Sequence, residues 1–234
     1  MDTSRVSRPN PPQTLPEAVV RTLRHEVGDL LQTVYATVAV LQQRIPEEWD
    51  LERRILADMR TRAEACKGLL DIAHDLVCPV ALNLEPVNLA EILSPVIAAA
   101  AARHPNIKVE KELAQAPAIQ GDLQKLTQVA RTLVAEACQA AAARVRVTLA
   151  AATNEQELQW TVQRDGAPIA TDQIEQFFNP AKAGYQRPTT LALMHVRKII
   201  ELHGGRVFVA DRSEGGLIVT VLLPLNQEEH GWRG

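Results

Sequence analysis

Aromatic side chains are scarce in this chain: Phe, Tyr and Trp make up 3% of its 234 residues. A core so poor in rings must be filled by aliphatic and small side chains, which favours closely packed helices. No apolar run approaches the roughly 20 residues that a membrane-spanning helix needs, and the N-terminal stretch has no signal-peptide core. Neither sign of charge dominates. A net charge of −3 and a pI near 6.1 give no electrostatic footing for nucleic acid or for an anionic membrane. Cysteine is sparse too. Cys66, Cys78 and Cys138 form no close metal-type cluster and cannot all pair, so they are expected as reduced, buried thiols of a cytoplasmic protein.

What is present is an ordinary globular share of apolar residues, 46%, in a chain long enough for one large or two small domains. Residues 1–14 are polar and carry Pro9, Pro11 and Pro12, and read as a tail. Over about 16–45, Val19, Leu23, Val27, Leu30, Leu31, Val34, Val38 and Leu41 recur at helical spacing. Pro46 marks a turn, and a second stripe runs from Leu51 to Leu76 before Pro79 stops it. Two such helices bury little as a pair. Their stripes are expected to meet those of a second copy in a four-helix bundle.

Beyond Pro79 the elements mix. Strands are expected near 84–87, 107–113, 144–149, 158–163, 206–210 and 217–223. Helices are expected at 89–103, from Gly121-Asp122 to about 142, near 172–177, and from Leu191 to a His203-Gly204-Gly205 stop. That order predicts a two-layer α/β sandwich. The class is α+β: an antiparallel two-helix hairpin forming a dimeric four-helix bundle, then the sandwich. The expected boundaries are a tail over 1–14, the hairpin over 15–80, the sandwich over 81–226 and a tail over 227–234.

The helix from Leu191, its His-Gly-Gly stop and the two following strands resemble the end of the ATP-binding lobe of sensor histidine kinases. The likeness extends over about 17–225. In that family an early helix presents a phosphorylatable histidine followed by an acid, and Leu23-Arg24-His25-Glu26-Val27 matches that pattern. The resemblance implies that His25 carries the phosphoryl group. A neighbouring carboxylate, Glu26, would hold the other ring N–H in the right tautomer, and Arg24 would attract phosphate. Asp29 lies one turn on, where the family often has Asn or Thr. The plainer reading is a solvated histidine on an amphipathic helix. His74-Asp75 reads as a surface pair. His195 and His203 read as helix residues, and no metal site is expected.

The nucleotide motifs depart from the family pattern. Glu136 stands where the family supplies a magnesium-binding Asn. In Arg164-Asp165-Gly166-Ala167-Pro168-Ile169, Arg164 takes the place of the adenine-reading Asp and Pro168 that of the second glycine. Arginine has only donors and cannot accept the adenine amino proton; Asp165 could substitute only through a register shift. Phe177–Pro180 resembles the box before the ATP lid, and the lid itself is short. The glycine-rich loop corresponds to 188–193, which holds no glycine.

The resulting expectation is a homodimeric histidine phosphotransferase. It would relay a phosphoryl group between receiver aspartates through His25, Glu26 and Asp29, with no cofactor and with response-regulator receivers as partners. The degenerate positions are Glu136, Arg164, Asp165 and Gly166. The first alternative is a divergent kinase that autophosphorylates His25 from ATP and magnesium; the second is a non-catalytic scaffold.

Overall fold

The structure is a computed structural model that describes residues 14–152, 156–167, 188–212 and 214–225. It divides into two compact units, Met1–Pro79 and Val80–Gly234.

The first unit is a helical hairpin, α1 (Leu15–Arg44) and α2 (Asp50–Val77). Thr14 is the N-cap of α1, and its N–H donates to the Glu17 carboxylate at 2.9 Å, so an orphan donor of the first turn is satisfied. Ile45 caps the other end through Leu41, and Pro46 prevents continuation. The hairpin buries few positions: Leu31 and Val38 on α1, and Leu56, Ala63, Ile72 and Asp75 on α2. Much of the apolar stripe stays exposed, including Leu23, Leu30, Leu41, Leu51, Ile55 and Leu69.

The second unit runs β1 (Glu85–Val87), α3 (Leu89–Arg103), β2 (Lys108–Leu113), β3 (Ile119–Gly121), α4 (Leu123–Ala140), β4 (Arg144–Ala151), β5 (Glu157–Arg164), α5 (Pro188–Leu202), β6 (Arg206–Asp211) and β7 (Leu217–Pro224). The main sheet has the order β2-β4-β5-β7-β6. Only β2 and β4 pair in parallel. Alternate residues of the central strands, Val145, Val147 and Leu149 against Leu158, Trp160 and Val162, are buried with Leu126, Val129 and Leu133 of α4 and Val196, Ile199 and Ile200 of α5. Each contributes roughly 1.5–3 kcal/mol by burial. This is the α+β sandwich expected from the element order.

Asn88 caps α3 by accepting the Ala90 N–H at 3.0 Å, and Asp122 caps α4 by accepting the Lys125 N–H at 3.0 Å. At the end of α5, Gly204 takes a positive φ of 71°, and the Gly205 N–H returns to the Ile200 carbonyl at 2.9 Å.

Three expectations are corrected. The helix expected from Leu191 begins three residues earlier, so 188–190 open α5 with Pro188 at its first position, where a missing N–H costs nothing. Cys66 is exposed, because it sits on the outer face of α2; Cys78 and Cys138 are buried as expected. The strand β3 was not expected, since three residues carry no periodicity. The helix expected near 172–177 lies outside the described residues.

Candidate functional site

His25 projects from α1 with 78% of its side chain exposed. Its Nδ1 lies 3.1 Å from Oδ2 of Asp29, one turn further along the same face. With the proton on Nδ1, the ring donates to that carboxylate and keeps its Nε2 lone pair free. The orienting acid expected from the sequence was Glu26. Adjacent residues on a helix point about 100° apart, and Glu26 makes no hydrogen bond or ion pair with the described residues, so the ring's partner is Asp29.

Arg24 reaches across the hairpin: its Nε donates to Oδ1 of Asp71 on α2 at 3.0 Å. His25 opens onto a hollow of about 380 Å³ between the helices, whose charged lining is Arg21, Arg24, Asp29, Lys67 and Asp71. Gly28 also borders it, and a Cβ there would meet nothing within 4 Å. The second histidine–acid pair, His74 and Asp75, is 17% and 8% exposed with 3.7 Å between its nearest atoms. His25 is thus open to solvent, and His74 is mostly covered. Sequence reading missed Asp71 and Lys67, which only the packing of the two helices brings to His25. Arg21 was missed too, although Arg21, His25 and Asp29 follow one another at intervals of four.

In the second unit, β5 and β4 pair with Arg164 opposite Val145, and β5 and β7 pair with Arg164 opposite Leu217. Arg164 Nη1 donates to the carbonyls of Ala140 and Asp165, each at 3.3 Å. Burial pulls its pKa down, while the negative charges of Glu136, Asp165 and Asp211 oppose that fall. Asp165 is committed elsewhere: its Oδ1 accepts the N–H groups of Ala142, Ala143 and Arg144, each at 3.0 Å. These bonds, that of Ala143 foremost, hold its carboxyl below the usual range. Gly166 has φ 117°, which a side chain would strain, and a Cβ there would lie 3.4 Å from Arg164 Nη1.

The guanidinium and carboxylate of Arg164-Asp165 thus clamp the turn between α4 and β4. The three N–H groups on Oδ1 fix the orientation of the Asp165 carboxylate against this turn. Glu136 is half-buried on the same helix, one turn before Ala140. Pro168, Ile169, Phe177–Pro180 and the lid lie outside the described residues.

His203 ties the unit together. It is fully buried, its Nδ1–H donates to the Ile199 carbonyl at 2.7 Å, and its Nε2 accepts the Asp122 N–H at 2.9 Å. Burial lowers its pKa, against the hydrogen bond to Ile199 and the Asp122 charge. Among the described residues no group of three or more His, Cys, Asp or Glu could hold a metal ion, and no helix is long and apolar enough to cross a membrane.

Residues 121–227 match the family described as histidine kinase-, DNA gyrase B- and HSP90-like ATPase. The chain is 25% identical over 205 residues to the sensor histidine kinase ZraS of Escherichia coli (strain K12), which covers 86% of this chain and 44% of ZraS. It is 22% identical over 228 residues to sporulation kinase C of Bacillus subtilis (strain 168), covering 96% of this chain and 52% of that protein. The chain therefore spans about half the length of the curated relatives it matches. Among solved structures, full-length ShkA in complex with AMPPNP superposes with a TM-score of 0.72 at 20% identity, covering 92% of this chain and 47% of that one. The histidine kinase ThkA in complex with the response regulator protein TrrA does so with a TM-score of 0.60 at 19% identity, covering 89% and 61%.

Proposed function

We propose, from the match of residues 121–227 to the histidine kinase-like ATPase family and the likeness to sensor histidine kinases, that the chain is a two-component signalling protein in which His25 carries a phosphoryl group to the aspartate of a receiver domain. One observation carries this reading. The imidazole stands clear of α1 with Nδ1 bonded to Asp29 at 3.1 Å, so its nucleophilic nitrogen is the outward Nε2. In the attack, the Nε2 lone pair forms the N–P bond. The P–O bond to the donor breaks with its electron pair leaving on the donor oxygen. The Nδ1 proton stays on the ring, where Asp29 offsets the positive charge.

A second copy covers the open seam of the hairpin. Leu30 and Leu51 are 66% and 67% exposed, and a patch of this kind on paired amphipathic helices supports a homodimeric four-helix bundle. The receiver partner is supported by the solved complex of ThkA with a response regulator.

The source of the phosphoryl group separates two readings. The relatives named are kinases, and the matched family is an ATPase. These likenesses favour autophosphorylation from ATP and magnesium over a relay fed only by phosphorylated receivers. The relay is kept as the second reading on a specific observation: Arg164 brings a donor where the resemblance implies an acceptor, and Oδ1 of Asp165 is held by three backbone N–H groups. The test is to offer the protein labelled ATP with magnesium and, separately, a receiver charged beforehand by an acyl phosphate. Acid-labile label from ATP, lost in His25→Gln, supports the kinase. Label from the receiver alone supports the relay. Label from neither leaves a scaffold and overturns both.

A further inference from the structure

We infer that Arg21 and Lys67 form a phosphoryl-binding subsite beside His25, one cation from each helix of the hairpin; the inference rests on His25 being the carrier. The argument is a charge balance in the hollow. Its lining holds three cations, Arg21, Arg24 and Lys67, and two carboxylates, Asp29 and Asp71. Arg24 is neutralised by Asp71 at 3.0 Å. Asp29 accepts from the neutral His25 ring and keeps its own charge, so the lining as a whole carries one surplus positive charge. Arg21 and Lys67 are left with no ion pair among the described residues.

The adjoining hollow shares Lys67 and Asp71 and adds Arg60 and Glu64, which neutralise one another at 3.2 Å. It supplies no acid to Lys67. The surplus positive charge is therefore concentrated on the side of the hairpin where His25 presents Nε2.

This placement suits a dianionic group. Arg21 precedes His25 by one turn on the same face of α1, and Lys67 closes the hollow from α2. Cations on two sides of a transferring phosphoryl group offset the charge on its non-bridging oxygens. Neither exchanges a proton in the step. The N–P bond forms at Nε2, the bond to the donor's leaving atom (oxygen in an acyl phosphate, nitrogen leaving as ammonia in phosphoramidate) breaks with its electron pair on that atom, and the two cations hold the oxygens that do not react. Arg24 is excluded from this role by its bond to Asp71, contrary to the expectation from sequence that it would attract phosphate.

The test uses the full chain and potassium phosphoramidate, a small donor that needs no nucleotide site or receiver. Phosphohistidine is followed by phosphorus NMR as a function of donor concentration and salt. Lys67→Gln and Arg21→Gln should each lower the second-order loading rate roughly tenfold, the loss expected for one charge-assisted contact. Both should also flatten the fall of that rate with ionic strength, which a merely structural role would not do. Lys67→Arg should restore most of the rate, and Arg60→Gln, in the neutral hollow, should load as the natural protein does.

If Lys67→Gln and Arg21→Gln keep the natural rate and salt dependence while His25→Gln stays unlabelled, the subsite is overturned and the carrier stands. Labelling of His25→Gln at the natural level would remove the carrier and the subsite with it.

Discussion

Nδ1 of His25 and Oδ2 of Asp29 lie 3.1 Å apart, one helical turn along α1, whereas the adjacent Glu26 has no bond to the ring. The acid that fixes the tautomer is thus four residues on and not next in sequence. Asp29→Ala should slow loading of His25 by roughly 10- to 100-fold, the loss expected for one charge-assisted hydrogen bond to the ring, and Glu26→Ala by much less. Single-turnover labelling of the two variants decides it. A larger loss in Glu26→Ala would return the role to that residue.

Arg164 stands where the resemblance to histidine kinases implies an adenine-reading acid. Arg164 lies near Glu136 and Asp211 and caps the Ala140 carbonyl. Glu136→Asn and Arg164→Asp together restore the residue types that the family resemblance implies at these two positions. Affinity for ATP with magnesium should rise by at least about tenfold over the natural protein, equivalent to about 1.4 kcal/mol. Calorimetric titration reads this directly. Equal affinities would mean that these two side chains do not limit nucleotide binding.

The exposed stripe predicts the dimer's weak point. Leu30 is 66% exposed and takes no part in the buried contacts of its own hairpin. Leu30→Glu should leave helicity unchanged and weaken association by several kcal/mol, because it buries an unpaired charge in each protomer. Light scattering across a dilution series should show a monomer at micromolar concentration. A dimer of natural strength would move the interface to another face.

The long helices were legible because each carries its own period and its own stop. Asn88 before α3 and Pro79 after α2 mark boundaries that the structure keeps. The strand β3 was not legible, since Ile119–Gly121 is defined only by its partner β1. The first turn of α5 was obscured because its apolar spacing begins at Leu191, after Pro188 has already set the helical φ. At the candidate site, His25 and Asp29 share one helix face and can be read from spacing. Asp71 and Lys67 depend on the rotation of α2 against α1, which Leu31, Val38, Leu56 and Ala63 determine by packing. The engagement of Asp165 was hidden for a related reason: three N–H groups about 22 residues earlier converge on it only when β4 and β5 pair.

The second unit should be sensitive to mild acid through His203. Burial lowers this imidazole below its usual value near 6.5, and its neutral Nε2 accepts the Asp122 N–H. The unfolded chain therefore binds a proton that the folded unit refuses. Stability is full above about pH 6.5 and falls as pH drops toward the folded value, by at most about 1.4 kcal/mol per pH unit. Asp122 and Asp165 act in a different window. In Asp122, burial raises the carboxyl, but the N–H groups of Lys125, Asn83 and Gln124 outweigh it; in Asp165 the N–H groups prevail as well. Both are lowered, so their contribution is lost only below about pH 4. His203→Gln removes the titration and keeps an acceptor, at a cost of about 1–3 kcal/mol for the imperfect replacement. Denaturant unfolding followed by the fluorescence of buried Trp160 should show the natural protein losing stability between pH 6.5 and 5 and the variant holding level. An unchanged slope in the variant would place the acid sensitivity in another group.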